Sequence, residues 1–250
     1  MALIHAGSVS REIELMVFDK DGLMFQSQAF WSELGNERMR KLREVLPEKD
    51  VEEWAKLNGL TLENGSVVHT EPKGILATAS PREECAVMAG FIVGKLSVPW
   101  EKGLSAARDV FLRADRDLSL AKALSPRQGF PEILGRLRKA GIRYAVATSD
   151  TYERVLDSFA LVGETPPELI VFPDMVEHGK PEPDMLFYLS EKSGVPLEKI
   201  AMVGDSYVDV KMAYLAGSLG IGVPETDEMR EVMRPYTGCI VDSLDDILTE

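Results

Sequence analysis

The chain has 250 residues, 45% hydrophobic and 28% charged, enough to bury a core in one large domain or two modest ones. Its 41 acidic and 28 basic side chains leave a formal charge of −13, which disfavours nucleic acid and anionic membranes as partners. An anionic ligand would therefore need its positive field supplied locally, by a metal ion, a lysine or helix N-termini.

No apolar run approaches the roughly 20 residues of a membrane span, and residues 1–14 mix His5, Ser8, Arg11 and Glu12 among apolar side chains, unlike a secretory signal. The two cysteines, Cys85 and Cys239, fit neither a disulfide framework nor a C-x-x-C site, so a cytoplasmic protein is expected.

In chain order, the first strand is predicted over residues 13–18, a continuous apolar run that ends at Asp19. Residues 24–123 show helical rather than strand periodicity. A helix over 30–46 carries Phe30, Leu34, Met39, Leu42 and Leu46 near helical spacing. A second starts at Ser80 as N-cap, with Pro81 next and Glu83 completing a capping box, and runs through Phe91 to about Leu96. A third is predicted over 101–112, and residues 61–79 read as a long helix–helix connection. Trp31, Trp54 and Trp100 are expected in the core of this insert.

Beyond it, short apolar runs at 142–147, 169–172, 200–203 and, more weakly, 218–223 alternate with helices over 130–140, 152–161, 183–192 and 207–216. Gly141, Gly163, Gly194 and Gly217 follow those helices as stop signals. The predicted fold class is α/β: a doubly wound, mainly parallel, Rossmann-like sheet with an all-helical cap domain inserted after strand one. The core domain would comprise 1–23 and 124–250, and the cap 24–123. Such an insert lies over the carboxyl end of the first strand, where open α/β sheets bind ligands.

Four strand ends carry polar groups suited to chemistry. Asp19-Lys20-Asp21-Gly22 closes the first strand, and residues i and i+2 of an extended segment point the same way. Alone this is also an ordinary turn sequence; a calcium-binding EF-hand loop is excluded, because its glycine would fall at the sixth position. Thr148-Ser149-Asp150 follows the second strand and opens a helix, either as an anion site or as a simple N-cap at Ser149 or Asp150. Lys180 lies between Gly179 and Pro181, where a solvated lysine and a partner for carboxylate or phosphate are both open readings. Gly204-Asp205 and Asp209 stand at a strand-to-helix junction; they read as a cap plus a first-turn acid, or as a site whose converging carboxylates call for a hard cation such as Mg²⁺.

The order and spacing of Asp19/Asp21, Thr148, Lys180 and Gly204-Asp205/Asp209 resemble the four motifs of the haloacid dehalogenase superfamily, over residues 13 to about 223. The insertion point resembles the branch that includes phosphoglycolate-phosphatase-like and β-phosphoglucomutase-like members. The resemblance implies Asp19 as nucleophile, forming an aspartyl-phosphate, and Asp21 as general acid and base. It implies Thr148, Ser149 and Lys180 as phosphate-binding residues. Mg²⁺ would be held by Asp19, the Asp21 main-chain carbonyl and Asp205, with Asp209 orienting a metal-bound water or Lys180. Haloacid dehalogenases lack a carboxylate at the position of Asp21, so its presence favours phosphoryl chemistry on a small phosphorylated metabolite. A sugar phosphomutase, a non-catalytic phospho-ligand binding protein and a metal-binding structural module are the alternatives. The chain departs from the family's usual residues at Leu23, commonly Thr or Val, and at Gln26, often Asp. Lys73 or Arg82 is a candidate contact to the leaving group, against the plainer reading of both as solvated loop charges. Oligomeric state is not legible.

Overall fold

The computed structural model of the protein describes residues 2–250. The chain opens with an antiparallel hairpin, β1 (Ala2–Ala6) and β2 (Val9–Ile13), turned at Gly7 with φ +57°. Ala2, Ile4 and Ala6 face inward at alternate positions. Next comes β3 (Leu15–Phe18), whose four side chains are at most 1% exposed, as expected of a strand covered on both faces.

The insert then supplies α1 (Ser27–Leu42), α2 (Glu48–Leu57), β4 (Leu60–Glu63), β5 (Ser66–Thr70), α3 (Ile75–Thr78), α4 (Pro81–Leu96), α5 (Trp100–Asp117) and α6 (Leu120–Ala123). The start of α4 is the predicted one: Ser80 accepts from the Glu83 amide and the Glu83 carboxylate accepts from the Ser80 amide. The insert is mainly but not entirely helical. Part of the stretch read as a connection is the antiparallel pair β4–β5. Its turn, Asn64-Gly65, has φ of +51° and +78°, the left-handed pair that a two-residue hairpin favours and that Asn-Gly adopts readily. Gln28 steadies the far end, donating to the Thr70 carbonyl at 2.7 Å and accepting from its amide at 3.0 Å. Of the three tryptophans only Trp54 is fully buried; Trp31 is half-buried and Trp100 is 51% exposed, because it is the first residue of α5.

The chain resumes with α7 (Glu132–Ala140), β6 (Arg143–Ala147), α8 (Tyr152–Leu161), β7 (Ile170–Val171), α9 (Asp184–Ser193), β8 (Ile200–Gly204), α10 (Tyr207–Ala216), β9 (Leu219–Gly222), α11 (Asp227–Met233) and β10 (Ile247–Thr249). Five strands form a wholly parallel sheet in the order β7-β6-β3-β8-β9, as the alternating pattern predicts. Helix α7 starts two residues later than expected, since Phe130 turns inward to pack edge-on against Phe25 and Phe159. The sequence reading did not separate out the small antiparallel sheet β10-β1-β2; its strands are short and come from opposite ends of the chain.

The chain divides into two compact units, one running to Gln26 and resuming over Pro126–Glu250, the other Ser27–Ser125. The two connecting stretches pair within the first unit: Phe25 bridges Pro126, and the Arg127 amide donates to the Met24 carbonyl at 2.9 Å. Among the described residues no helix is long and apolar enough to cross a membrane.

Two expectations follow. Ser80→Ala removes the cap of α4 and should destabilise the insert by about 1 kcal/mol in denaturant unfolding. Cys239 is buried, with its thiol against the Ala6 carbonyl at 3.3 Å, and burial pushes its pKa up to about 11. Because only the thiolate alkylates, iodoacetamide at pH 8 should label Cys239 after denaturation and leave it unmodified in the folded protein.

Candidate active site

From β3 the chain builds outward through β6 and β7, then returns to lay β8 on the other side of β3. The order reverses between β3 and β8, and at such a switch point the loops after the strands part to leave a crevice at their carboxyl ends. The polar groups singled out in the sequence stand there. Asp19 continues the β3–β8 pairing by one hydrogen bond, from its amide to the Val203 carbonyl at 3.0 Å, which fixes its backbone.

Lys180 reaches this strand end from the loop before α9. Its ammonium donates to Asp19 Oδ1 at 2.7 Å and Asp209 Oδ1 at 2.6 Å, and its side chain is only 3% exposed. Burial alone would lower its pKa, but Asp19 and Asp209 outweigh burial and the net shift is upward, so it stays charged. Asp209 is not an exposed first-turn acid. It is 1% exposed, and its second oxygen accepts from the Ser206 amide at 3.2 Å, making a capping box for α10. Ser206, not Asp205, is the N-cap residue.

Asp205 is thereby left with no cation in ion-pair range among the described residues, though Arg127 attracts it from further off. Among the described residues its carboxylate has no hydrogen bond or ion pair, and burial, then Asp19 and Asp209, hold its pKa well above the carboxylate range. One oxygen from each of Asp19, Asp205 and Asp209 lies within 4.8 Å of the others. Two glycines make this crowding possible. A Cβ at Gly22, whose φ is +91°, would lie 2.1 Å from Asp205 Oδ2, and one at Gly204 would lie 2.2 Å from the Asp209 Cβ.

Lys20 sits at the bend between Asp19 and Asp21, just past the end of β3, and its ammonium reaches Asp21. It is wholly buried, 2.5 Å from Asp21 Oδ1 and 2.9 Å from Asp150 Oδ2. Asp150 also accepts from Arg154 at 2.7 Å and from the Thr151 amide at 2.8 Å. Thr151, rather than Ser149 or Asp150, caps α8, because the carboxylate of Asp150 is drawn into these ion pairs. Lys20 and Arg154 hold the Asp150 pKa below its usual value despite burial. Asp21 is pushed the other way, to about 6, by burial acting against the pull of Lys20. Thr148 is buried, and its hydroxyl oxygen accepts from the Asp150 amide at 3.0 Å, which leaves its proton to donate elsewhere. Ser149 occupies the turn between them, half-buried.

Sequence reasoning passed over Lys20, Arg154 and Arg127. The first two had signals: Lys20 is flanked by two acids in sequence, and Asp150 and Arg154 are spaced i, i+4. Arg127 had none; its guanidinium donates to the Gly22 and Val223 carbonyls, a link only folding creates. Lys73 and Arg82 lie on the insert, both exposed, in the turn after β5 and the first turn of α4.

Comparison with known proteins agrees with this architecture. Residues 13–217 match the family described as haloacid dehalogenase-like hydrolase. Hexitol phosphatase A of Escherichia coli (strain K12) is 25% identical over 183 residues, covering 72% of this chain and 77% of that protein. Phosphonoacetaldehyde hydrolase of Bacillus cereus is 34% identical over 108 residues, 42% of this chain and 40% of the relative's length. Among solved structures, a protein titled a predicted phosphoglycolate phosphatase from Haemophilus somnus 129PT superimposes with a TM-score of 0.67 at 17% identity, over 94% of this chain and 96% of that one, a likeness of fold. With most of its length matched, its parallel sheet in the order that places the motifs at the strand ends, and the four motif groups gathered there, this chain belongs to the haloacid dehalogenase-like hydrolases.

Proposed function

We propose that the chain is a magnesium-dependent phosphatase that hydrolyses a small phosphate monoester, with Asp19 as nucleophile and Asp21 as general acid and base. The observation that carries this reading is the division of charge at the end of β3. Asp19 is held by a buried ammonium beside Asp205, which has no cation in ion-pair range among the described residues, while Asp21, two residues on, belongs to a separate buried network. A nucleophile and an acid need different surroundings, and these two carboxylates have them. The names of the hexitol phosphatase and the phosphonoacetaldehyde hydrolase, both enzymes of phosphorus compounds, support the same class.

The donor set fits a hard divalent cation: oxygen ligands only, three converging carboxylates, and one of them with no cation in ion-pair range among the described residues. Asp19, Asp205 and the Asp21 main-chain carbonyl would hold Mg²⁺, which when bound supplies positive charge between the carboxylates and the phosphoryl group. Asp209 is committed to Lys180 and to its own helix, which suits it to orienting Lys180.

In the first half-reaction an Asp19 oxygen forms a bond to phosphorus as the ester P–O bond breaks, and the proton on Asp21 passes to the departing oxygen. The product is an aspartyl-phosphate and an alcohol. In the second, Asp21 takes a proton from water as the water oxygen bonds to phosphorus and the Asp19 carboxylate leaves, releasing phosphate. A pKa of about 6 suits Asp21 to both transfers near neutral pH. The Lys180 ammonium and the free Thr148 hydroxyl proton are the groups placed to donate to phosphoryl oxygens, with the Ser149 amide completing the set.

A panel of small phosphate esters, assayed with and without Mg²⁺, tests this reading. Wild type should release phosphate only with the metal, and Asp19→Asn should be inactive. Persistent activity in Asp19→Asn would sink the mechanism; accumulation of a bisphosphate in place of free phosphate would instead identify a phosphomutase. A second measurement addresses the metal. Gly22→Ala drives a methyl group into the Asp205 carboxylate, so the Mg²⁺ concentration for half-maximal activity should rise about 10–100-fold, the usual range for disturbing groups behind a metal ligand.

A further inference from the structure

Lys20 takes no part in that chemistry, although it is fully buried between Asp21 and Asp150. A lysine in such a place loses its hydration and the freedom of a long side chain, so an apolar residue of similar length would serve packing alone at least as well. What Lys20 adds is direction. Its ammonium engages one named oxygen of Asp21, Oδ1, and leaves Oδ2 for other work.

Lys20 is itself restrained. Asp150 faces it through Oδ2 and uses Oδ1 to accept from Arg154 and from the Thr151 amide. The Asp150 amide donates to Thr148 Oγ1. One connected set of polar groups thus runs from the start of α8, through the loop after β6, to the carboxylate of Asp21.

We propose that Lys20, locked by Asp150, is a positioning residue for Asp21: it fixes the carboxylate by Oδ1 so that Oδ2 delivers the proton to the leaving oxygen. The inference rests on the acid role assigned to Asp21. It differs from a purely structural ion pair in one measurable respect. A positioned acid matters in proportion to how badly the leaving group needs a proton, whereas a structural defect slows every substrate alike.

The test compares p-nitrophenyl phosphate, whose leaving group departs without a proton, with the alkyl monoester that wild type hydrolyses best in the ester panel. Wild type, Asp21→Asn, Lys20→Met and Asp150→Asn are measured on both, with thermal unfolding beside each. In Lys20→Met and Asp150→Asn, kcat for the alkyl ester should fall at least about tenfold further than kcat for the aryl ester, part of the 10²–10⁴-fold that a general acid contributes, with KM little changed. Should Lys20→Met not fold, Asp150→Asn, which keeps the side chain's shape, decides alone. Parallel losses on both esters, or no loss, overturn the proposal. If Asp21→Asn discriminates between the esters and the other variants do not, only the positioning role is lost. If Asp21→Asn does not discriminate, the acid role fails and this inference with it.

Discussion

A carboxylate taken out of water must find a cation or a proton, and the end of β3 confronts that requirement five times over. Asp19, Asp21, Asp150, Asp205 and Asp209 come together there, while among the described residues Lys20, Arg154 and Lys180 are the cations in ion-pair range. The charges sort into two sets. Lys180 serves Asp19 and Asp209; Lys20 and Arg154 serve Asp150 and, through Lys20, Asp21. Asp205 is the remainder. Removing one partner of a buried pair typically costs about 3–5 kcal/mol, so these sets hold the loops as firmly as they arrange the chemistry.

The sheet makes the sorting possible. Just past β3 the chain bends at Lys20, whose ammonium reaches Asp21 and Asp150, while Asp19 meets Lys180. The strand order places β6 on one side of β3 and β8 on the other, so the loop with Asp150 and the loop with Asp205 approach the same strand end from opposite flanks. Glycines at 22 and 204 then let the carboxylates close in further than any side chain would permit. The backbone of the first motif is pinned as well, by the Asp19 amide on Val203 and by Arg127 on the Gly22 carbonyl.

Much of the architecture was legible before folding was considered. The parallel strands announced themselves as short apolar runs, and α8 and α10 occupy the predicted residues because their stop signals are local. The capping box at Ser80 is equally local and equally readable. The hairpin β4–β5 was readable too, from Asn64-Gly65, but its alternation is weak: Ser66, Val68 and His69 are exposed and only Val67 and Thr70 turn inward. The small sheet β10-β1-β2 joins strands from the two ends of the chain, and no local pattern states such a pairing.

The candidate site divides along the same line. The sequence by itself determined which chemical groups stand at each strand end, because residue type, the period of two and the turn after each strand are local properties. It did not determine who pairs with whom. Lys180 and Asp19 are 161 positions apart, and a lysine between glycine and proline reads equally well as a solvated charge. Only the tertiary structure assigned Lys180 to Asp19 and Asp209, drew Asp150 away from capping α8 and toward Lys20, and left Asp205 with no cation in ion-pair range among the described residues. The reason is physical: each assignment is set by competition among several buried charges for few partners, and that competition exists only once the strands are side by side.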